Sequence, residues 1–270
     1  MKNPVGDFVT SERLAKRIAR VGLCSRREAE KWIADGRIKV GGKVVTTPAF
    51  NVSEKDAVVV DGKLLQGKEA TRLWLYHKPA GLMVTHKDPQ GRPTVFESLP
   101  KELGRVISIG RLDLNSEGLL LLTNDGALAR QLELPSTGWI RRYRVRIYGG
   151  ITPSMLAKMK KGMTVNGTYY DSVEASINPH PNPLPKRERE FFSSSPFQGE
   201  GRGEGKNIWL TVALKEGKNR EIRNIFEHFG CKVSRLLRLS YGPFQLGSLG
   251  KGEVKEVSEK VFRSFVNSDL

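Results

Sequence analysis

The chain has 270 residues, 38% of them hydrophobic, so it is long enough to bury a sizeable core. Lys and Arg total 45 against 29 Asp and Glu, which gives a formal net charge of +16. This excess favours a polyanionic partner, and nucleic acid fits better than a membrane. The sequence has no apolar run of about 18 residues to span a bilayer and no secretory signal at its start, so we expect a cytoplasmic protein.

The cysteines and histidines follow no metal-binding pattern. Cys24 and Cys231 are too far apart in sequence for a zinc knuckle, and they give no indication of an oxidising compartment. The four histidines lack the spacing of metal ligands. We therefore expect no catalytic metal.

Two short helices are the first predicted elements. Ser11 is a candidate N-cap for a helix in which Leu14 and Ile18 recur at helical spacing. Ser25 and Glu28 form a capping-box pattern that opens the second helix.

A basic β-hairpin follows these helices. Residues 37–45 alternate around a Gly-Gly turn, which predicts the hairpin. Residues 11–50 hold ten Lys and Arg against four Asp and Glu, an excess of about +6. We expect these cations to contact phosphate oxygens, and the alternative is a solvated basic surface. The candidate RNA-binding residues are Arg13, Lys16, Arg17, Arg20, Arg26, Arg27, Lys31, Arg37 and Lys39.

From Arg72 onward, apolar runs predict several strands, which helices interrupt. Strands are expected at 73–76, 106–109, 119–122, 143–147, 173–177 and 208–214, and helices at 154–161 and 219–229. This order predicts an α+β domain with a mostly antiparallel sheet. The segment 179–206, rich in Pro, Ser and Gly, is predicted to be a disordered insertion, and a tolerated insertion at a hairpin tip is favoured over an RNA-binding arm.

One carboxylate is isolated between two apolar runs. Asp113 follows the strand-like residues 106–109 and precedes the apolar residues 118–122. An arbitrary loop Asp caps a turn or pairs with a neighbour such as Arg111. The wider sequence around it, GRLDLNSEGLLLLTNDGALARQL, favours a functional role instead.

That segment resembles the active-site motif of RNA pseudouridine synthases, in particular the ribosomal RsuA/RluB branch, whose signature is Gly-Arg-Leu-Asp followed by Ser-Glu-Gly-Leu-Leu. Three further blocks fall in the order that this branch requires, at 75–100, 141–147 and 216–230. The resemblance implies a small S4-type RNA-binding domain followed by a larger catalytic domain, whose mixed sheet is bisected by the active-site cleft. It also implies that the S4-type domain holds RNA by its backbone and shape.

Composition and resemblance together give the expected domain boundaries. They are a flexible N-terminus at 1–8, an S4-type domain at 9–66, a linker at 67–71, a catalytic domain at 72–258 and a C-terminal tail at 259–270.

The implied activity is that of a cofactor-independent isomerase, which converts a specific uridine of ribosomal RNA to pseudouridine. The block at 88–100 is most similar to the large-subunit enzymes of the branch, so 23S rRNA, free or in a pre-50S particle, is the first choice and 16S rRNA the second. We expect a monomer. The competing hypothesis is a non-catalytic rRNA-binding factor in ribosome assembly.

The resemblance also assigns catalytic roles. Asp113 matches the catalytic Asp, which either forms a covalent adduct or takes a proton from ribose carbon 2′, and the sequence leaves both routes open. Arg223 matches the Arg that pairs with this Asp and keeps it ionised. Tyr143 matches the tyrosine that stacks on the flipped base, and Ile222 matches the apolar residue that packs on the uracil; the alternative for both is the core. Asn224 stands where many relatives have a second Arg.

Four basic residues complete the expected substrate-binding set. Arg111 would enter the space left by the extruded nucleotide or bind its phosphate, and the alternative is an ion pair with Glu117. Lys78 and Arg92 match loops that contact RNA in relatives, with simple Pro and Gly loop geometry as the alternative. Arg220 belongs to the same Lys-Asn-Arg-Glu-Ile-Arg stretch as Arg223.

Overall fold

The computed structural model of the chain describes residues 11–67, 69–134, 137–177 and 207–269. Two predicted segments lie outside the described residues, namely the flexible N-terminus at 1–8 and the insertion at 179–206. The chain divides into two compact units. The first contains the described residues up to Arg72 together with 101–107 and 123–127, and the second contains the rest.

Two helices and short strands build the first unit around one core. Leu14, Ile18, Ala29, Ile33 and Ile38 are fully buried in it. β2, β3, β5 and β6 form an antiparallel sheet in the order β3-β2-β5-β6, while β1 pairs with β4. These elements are β1 (Glu12–Arg13), α1 (Leu14–Arg20), α2 (Arg26–Ala34), β2 (Ile38–Val40), β3 (Lys43–Val45), β4 (Asn51–Val52), β5 (Val58–Val60) and β6 (Lys63–Leu64).

The two helices begin differently. Ser25 caps α2 as predicted, because its Oγ accepts a hydrogen bond from the Glu28 N–H at 3.1 Å and the Glu28 carboxylate accepts one from the Ser25 N–H at 3.5 Å. The prediction that Ser11 caps α1 is wrong, since no side chain caps this helix. The N–H of Leu14 instead donates to the Phe50 carbonyl at 2.9 Å, so the backbone beside β4 satisfies the first turn.

From Leu73 onward, helices alternate with strands, most of which belong to one larger sheet. The elements are β7 (Leu73–Lys78), α3 (Val95–Ser98), a 3₁₀ turn (Lys101–Leu103), β8 (Ile107–Ile109), β9 (Ser116–Thr123), α4 (Gly126–Glu133), β10 (Arg141–Tyr148), α5 (Pro153–Lys161), β11 (Met163–Val165), β12 (Thr168–Tyr170), β13 (Val173–Ile177), β14 (Asn207–Leu214), α6 (Glu221–His228), β15 (Lys232–Tyr241), β16 (Phe244–Gln245), β17 (Val254–Glu256) and α7 (Glu259–Asp269). Among the helices of the described residues, none is long and apolar enough to cross a membrane.

In the described part of the chain, nine strands join in one mixed sheet. Its order is β13-β14-β10-β15-β9-β7-β17, with β16 paired to β15 and β8 to β9. β10 is antiparallel to both β14 and β15, and β13 is antiparallel to β14, whereas β15 and β9 run parallel. The predicted α+β class with a mostly antiparallel mixed sheet is therefore confirmed.

Strands β9 and β10 show how the sequence pattern determines burial. β9 is buried along its whole length, and residues 119–122 are 0% exposed, as in a central strand covered on both faces. β10 alternates instead, because Tyr143, Val145 and Ile147 are buried while Arg142 and Tyr148 are exposed. The burial pattern thus fixes which side chains of each strand point into the interior.

The segment predicted to be a C-terminal tail forms helix α7, which belongs to the second unit. Phe265 is 5% exposed, and its ring centroid lies 5.2 Å from that of Trp139 and 5.4 Å from that of Phe244. Aromatic side chains at these separations add packing energy beyond the area they bury. The apolar face of the segment therefore docks on the sheet unit.

Candidate active site

A cleft of about 820 Å³ opens in the second unit. Its walls are formed by the loop between β8 and β9, by strands β10 and β15, and by the turn that begins α6. Its volume lies in the range of sites that enclose a small organic group such as one nucleotide. Among the described residues, no three His, Cys, Asp or Glu side chains are grouped to hold a metal ion.

Asp113 reaches this cleft from the β8–β9 loop, as the two apolar runs around it predict. Its side chain is 34% exposed, so the carboxylate is open on the cleft side. Its own carbonyl accepts a hydrogen bond from the Ser116 N–H at 3.0 Å, which closes a tight turn into β9. A rigid buried strand therefore holds an accessible acid.

Arg223 lies beside Asp113, as expected from the resemblance. Its Nε is 4.0 Å from the Asp113 Oδ2 and has no hydrogen-bond partner among the described residues, while its side chain is 10% exposed. Nη1 donates to the Val233 carbonyl at 3.0 Å and Nη2 to the Asn115 carbonyl at 3.4 Å. Burial lowers the pKa of Arg223 and Asp113 raises it, but an arginine side chain remains charged in a protein. The guanidinium is thus fixed next to the carboxylate.

Lys78 does not lie where the sequence placed it. It is 0% exposed, so the expectation that it contacts RNA is wrong. Burial lowers its pKa to about 8, against the opposing effect of Asp113. The ammonium at the end of β7 holds the Asp113 loop from beneath. Its Nζ donates at 2.9 to 3.2 Å to the carbonyl oxygens of Pro79, Asp113, Leu114 and Ser116.

Tyr143 and Ile222 both line the cleft and are both nearly buried, with 7% and 5% exposed. Each of these residues therefore fits both interpretations, because it lines the cleft and is also packed into the interior. In helix α6, the first turn with Ile222 forms cleft wall, whereas Ile225 and Phe226 are 0% exposed and belong to the core.

Arg111 is exposed and lines the cleft. The alternative ion pair with Glu117 is wrong, because Glu117 binds Arg235 Nε at 2.9 Å and Lys251 Nζ at 3.1 Å. Among the described residues Arg111 has no such partner, and its guanidinium is available to a ligand.

Arg92 and Arg220 also line the cleft. Arg92 binds Asp88 through two hydrogen bonds of 3.0 and 2.8 Å, which lowers the pKa of that carboxyl to about 2. Arg92 therefore stabilises its own loop and also lines the cleft. Arg220 has left-handed backbone with φ of 51° and a side chain that is 47% exposed. Asn224, the departure from relatives, donates to the Tyr170 hydroxyl at 2.9 Å.

Sequence reasoning missed Glu221, which lines the cleft and is 4% exposed. Its Oε2 accepts a hydrogen bond from the Lys218 N–H at 2.9 Å, while Oε1 is buried and has no partner among the described residues. Burial raises the pKa of this carboxyl to about 7, and Glu216 acts in the same direction, against Lys218 and Arg141. In the sequence, Glu221 is indistinguishable from an ordinary acid in the first turn of a helix.

Arg141 and Arg238 were also missed. Arg141 Nη2 donates to the Tyr241 hydroxyl at 2.9 Å, and Arg238 Nε donates to the Leu119 carbonyl at 2.7 Å. Both arginines line the cleft and are less than one tenth exposed. The alternation of side chains along a strand could have indicated them, because it places each arginine on the same face as buried apolar residues of its strand.

The nine cations predicted to bind RNA in the first unit fall into two groups. One group binds within the unit: Arg13 to the Ala49 carbonyl, Arg17 to the Ser53 and Glu54 carbonyls, Lys16 and Arg20 to Glu12, and Arg37 to Asp61. The other group is exposed and has neither hydrogen bond nor ion pair with any described residue; it consists of Arg26, Arg27, Lys31 and Lys39. We call these four the free cations of the first unit.

Comparison with known proteins gives matches over both units. Residues 72–228 match the RNA pseudouridylate synthase family, and residues 12–58 match the S4 domain. An uncharacterized RNA pseudouridine synthase of Rickettsia bellii is 49% identical over 93% of this chain and 99% of its own. The ribosomal large subunit pseudouridine synthase B of Pasteurella multocida is 39% identical over 95% of this chain and 69% of its own.

The fold also resembles a solved structure. The crystal structure of a pseudouridylate synthase superposes with a TM-score of 0.61 and 23% identity, covering 93% of this chain and 98% of that one. At this identity the likeness concerns the fold, which agrees with the mixed sheet and its cleft.

Proposed function

The chain belongs to the RNA pseudouridylate synthase family, and on that premise we propose that it converts one uridine of ribosomal RNA to pseudouridine with Asp113 as the catalytic group. The observation that carries this proposal is the Asp113 carboxylate, open to a nucleotide-sized cleft with Arg223 Nε at 4.0 Å. The reaction needs a carboxylate that can act as nucleophile or base, and the Arg223 guanidinium lies directly beside this one.

Asp113 takes part both when the base leaves the ribose and when it is rejoined. The bond between ribose carbon 1′ and uracil nitrogen 1 breaks, the base turns, and carbon 5 of the base joins carbon 1′ while its proton leaves. Asp113 either attacks carbon 1′ or takes the carbon 2′ proton, and its exposure to the cleft is compatible with both roles. Tyr143 stacks on the everted base and Ile222 packs against it, since both line the cleft.

We assign 23S rRNA as the first-choice substrate and 16S rRNA as the second. The support is the 39% identity to a relative whose name refers to the large ribosomal subunit. The net charge of +16 and the free cations of the first unit suit a phosphate backbone. We expect the protein to act in the cytoplasm, where it would meet ribosomal RNA, and to act as a monomer.

The test maps pseudouridines in 23S and 16S rRNA from a strain lacking the gene, by chemical modification and primer extension. Wild-type protein should create one modified site, and Asp113→Asn should create none. Asp35→Asn is the matched control, because Asp35 is exposed at the end of α2. Thermal melting should verify that all three proteins are folded.

Two outcomes would contradict the assignment. A folded Asp113→Asn protein that still makes the modification removes Asp113 from the chemistry. A folded wild-type protein that binds rRNA and modifies neither subunit supports the non-catalytic assembly factor instead. Modification of 16S rRNA alone would reverse the order of substrates.

A further inference from the structure

A buried cation lines the cleft without a counter-ion in the described part of the chain. Arg238, on β15, is 2% exposed and borders the cleft. Its Nε donates to the Leu119 carbonyl, but its Nη2 is buried and finds no hydrogen-bond acceptor among the described residues. No carboxylate of those residues forms an ion pair with it. A buried arginine is almost always paired, so this exception calls for a partner from outside the chain.

The strands hold Arg238 next to the proposed site. Tyr143 on β10 is its direct cross-strand partner, so the two side chains share one face of the sheet. On the other side, Arg238 pairs with Gly118 of β9. Gly118 has φ of 101°, and a Cβ there would lie 2.3 Å from the Arg238 carbonyl oxygen, so only glycine permits this approach.

A neighbouring arginine provides the contrast. Arg141 and Arg238 both lie near the Tyr241 ring, with their Cζ atoms 4.6 and 5.2 Å from its centroid. Both terminal nitrogens of Arg141 are used by the fold, since Nη1 donates to the Lys215 carbonyl and Nη2 to the Tyr241 hydroxyl. Arg238 uses only Nε in this way. A structural role therefore accounts for Arg141 and leaves part of Arg238 unexplained.

Removing a charge from water is unfavourable unless an opposite charge compensates it. A cation fixed in a water-excluded cleft is worth most where negative charge develops during the reaction, because no reorganisation is then required. Cleavage of the uridine C1′–N1 bond creates such a charge, since its electron pair remains on the base. The uracil anion spreads that charge over nitrogen 1 and the two carbonyl oxygens.

We propose that Arg238 stabilises the uracil anion, with its guanidinium facing a carbonyl oxygen of the detached base. This inference rests on the proposed function. In the first half, Asp113 either bonds to carbon 1′ or takes the carbon 2′ proton as the C1′–N1 bond breaks. In the second half, carbon 5 of the anion bonds to carbon 1′, either as the bond between Asp113 and carbon 1′ breaks or as protonated Asp113 returns its proton to carbon 2′. The proton of carbon 5 is then lost while nitrogen 1 takes one up.

The test separates rate from binding. Single-turnover release of tritium from rRNA carrying [5-³H]uridine, at saturating enzyme, should slow by about 10² to 10³-fold in Arg238→Met. The dissociation constant for the same RNA should change by less than about threefold, since the charge acts after binding. Arg238→Lys should lie between. Arg235→Met, on the same strand and bound to Glu117, is the matched control and should keep nearly the wild-type rate.

Chemical rescue addresses folding and mechanism together. Guanidinium ion at millimolar concentration should accelerate Arg238→Ala at least about tenfold and leave Asp113→Asn inactive. Wild-type turnover in Arg238→Met would overturn the inference. If this turnover came with weaker and less salt-dependent RNA binding, Arg238 would instead be a phosphate contact. Failure of guanidinium to accelerate a folded Arg238→Ala would also count against it. If wild-type protein itself releases no tritium, the proposed function fails, which is a different result.

Discussion

The charges of the first unit and those around the cleft serve RNA in different ways. The free cations, Arg26, Arg27, Lys31 and Lys39, are exposed and fully hydrated. Lys78, Arg223 and Arg238 are less than one tenth exposed and are held by backbone carbonyls. Exposed cations attract any polyanion and are screened by salt, whereas buried cations are desolvated in advance and act on one group.

This difference separates affinity from chemistry. Removal of an exposed cation should weaken RNA binding and leave the fold and the bound rate unchanged. Removal of a buried one should affect the loop, the rate or the stability, and leave most of the RNA affinity intact. Four predictions test this division and extend it to the buried acid Glu221, beginning with the largest expected effect.

Lys78→Met should be the most damaging change. Loss of the ammonium leaves four carbonyl oxygens around the Asp113 loop without their donor. We expect the free energy of unfolding to fall by about 3 kcal/mol, and turnover to fall at least about 100-fold. Urea unfolding and single-turnover assays measure both. Lys255→Met, exposed on the neighbouring β17, should change neither, and equal behaviour of the two variants would refute the role of Lys78.

Arg223→Met should slow the reaction by about 100-fold without weakening RNA binding, because Arg223 lies beside Asp113 and does not itself line the cleft. The measurement is single-turnover rate against RNA dissociation constant. Arg263→Met controls for loss of an arginine, since Arg263 is exposed on α7. A wild-type rate in Arg223→Met would break the link between the guanidinium and the catalytic acid.

Glu221→Gln should change how stability depends on pH. The pKa of Glu221 is about 7 in the folded protein against an ordinary value of 4.5, so between these values the folded state binds more protons than the unfolded state. Wild-type unfolding free energy should therefore fall as pH rises from about 4.5 to 7, by up to about 3 kcal/mol relative to Glu221→Gln. Glu216, Lys218 and Arg141 act on the Glu221 charge, so their effect is part of the difference that the substitution measures. Urea unfolding at pH 5 and 7.5 gives the result; a pH-independent difference would contradict it.

The smallest effects are expected within the first unit. Arg26→Met should weaken RNA binding by a few-fold and lower the slope of log affinity against log salt by about 1, with no change in melting temperature. Arg17→Met should instead lower the melting temperature, because its guanidinium binds the Ser53 and Glu54 carbonyls. Identical behaviour of the two variants would show that burial of these cations does not determine their role.

Local signals in the sequence predicted much of the fold and the position of the central acid. The Ser25 capping box and the hairpin around Gly41 depend on a few neighbouring residues, and both are present. Asp113 lies in its loop because the apolar runs on either side form strands whose burial requires no distant information.

Roles that depend on strand pairing were not predictable in the same way. Lys78 appeared to lie in a surface loop, because nothing local indicates that the end of β7 lies beneath a loop 35 residues later in the chain. Arg238 resembled any basic strand residue until β15 was paired with β10 and β9. The apolar face of the 259–269 segment was overlooked because its partner Trp139 is distant in sequence.

The pairing of β13 with β14 has a practical consequence for engineering. Ile177 lies opposite Leu210, so the chain leaves the sheet on one strand and returns on its immediate neighbour. Joining two such ends costs loop-closure entropy that grows only with the logarithm of the connecting length. New chain termini, a fluorophore or an immobilisation handle introduced between these strands would therefore leave the ladder closed, at the end of β14 opposite to Leu214, which lines the cleft.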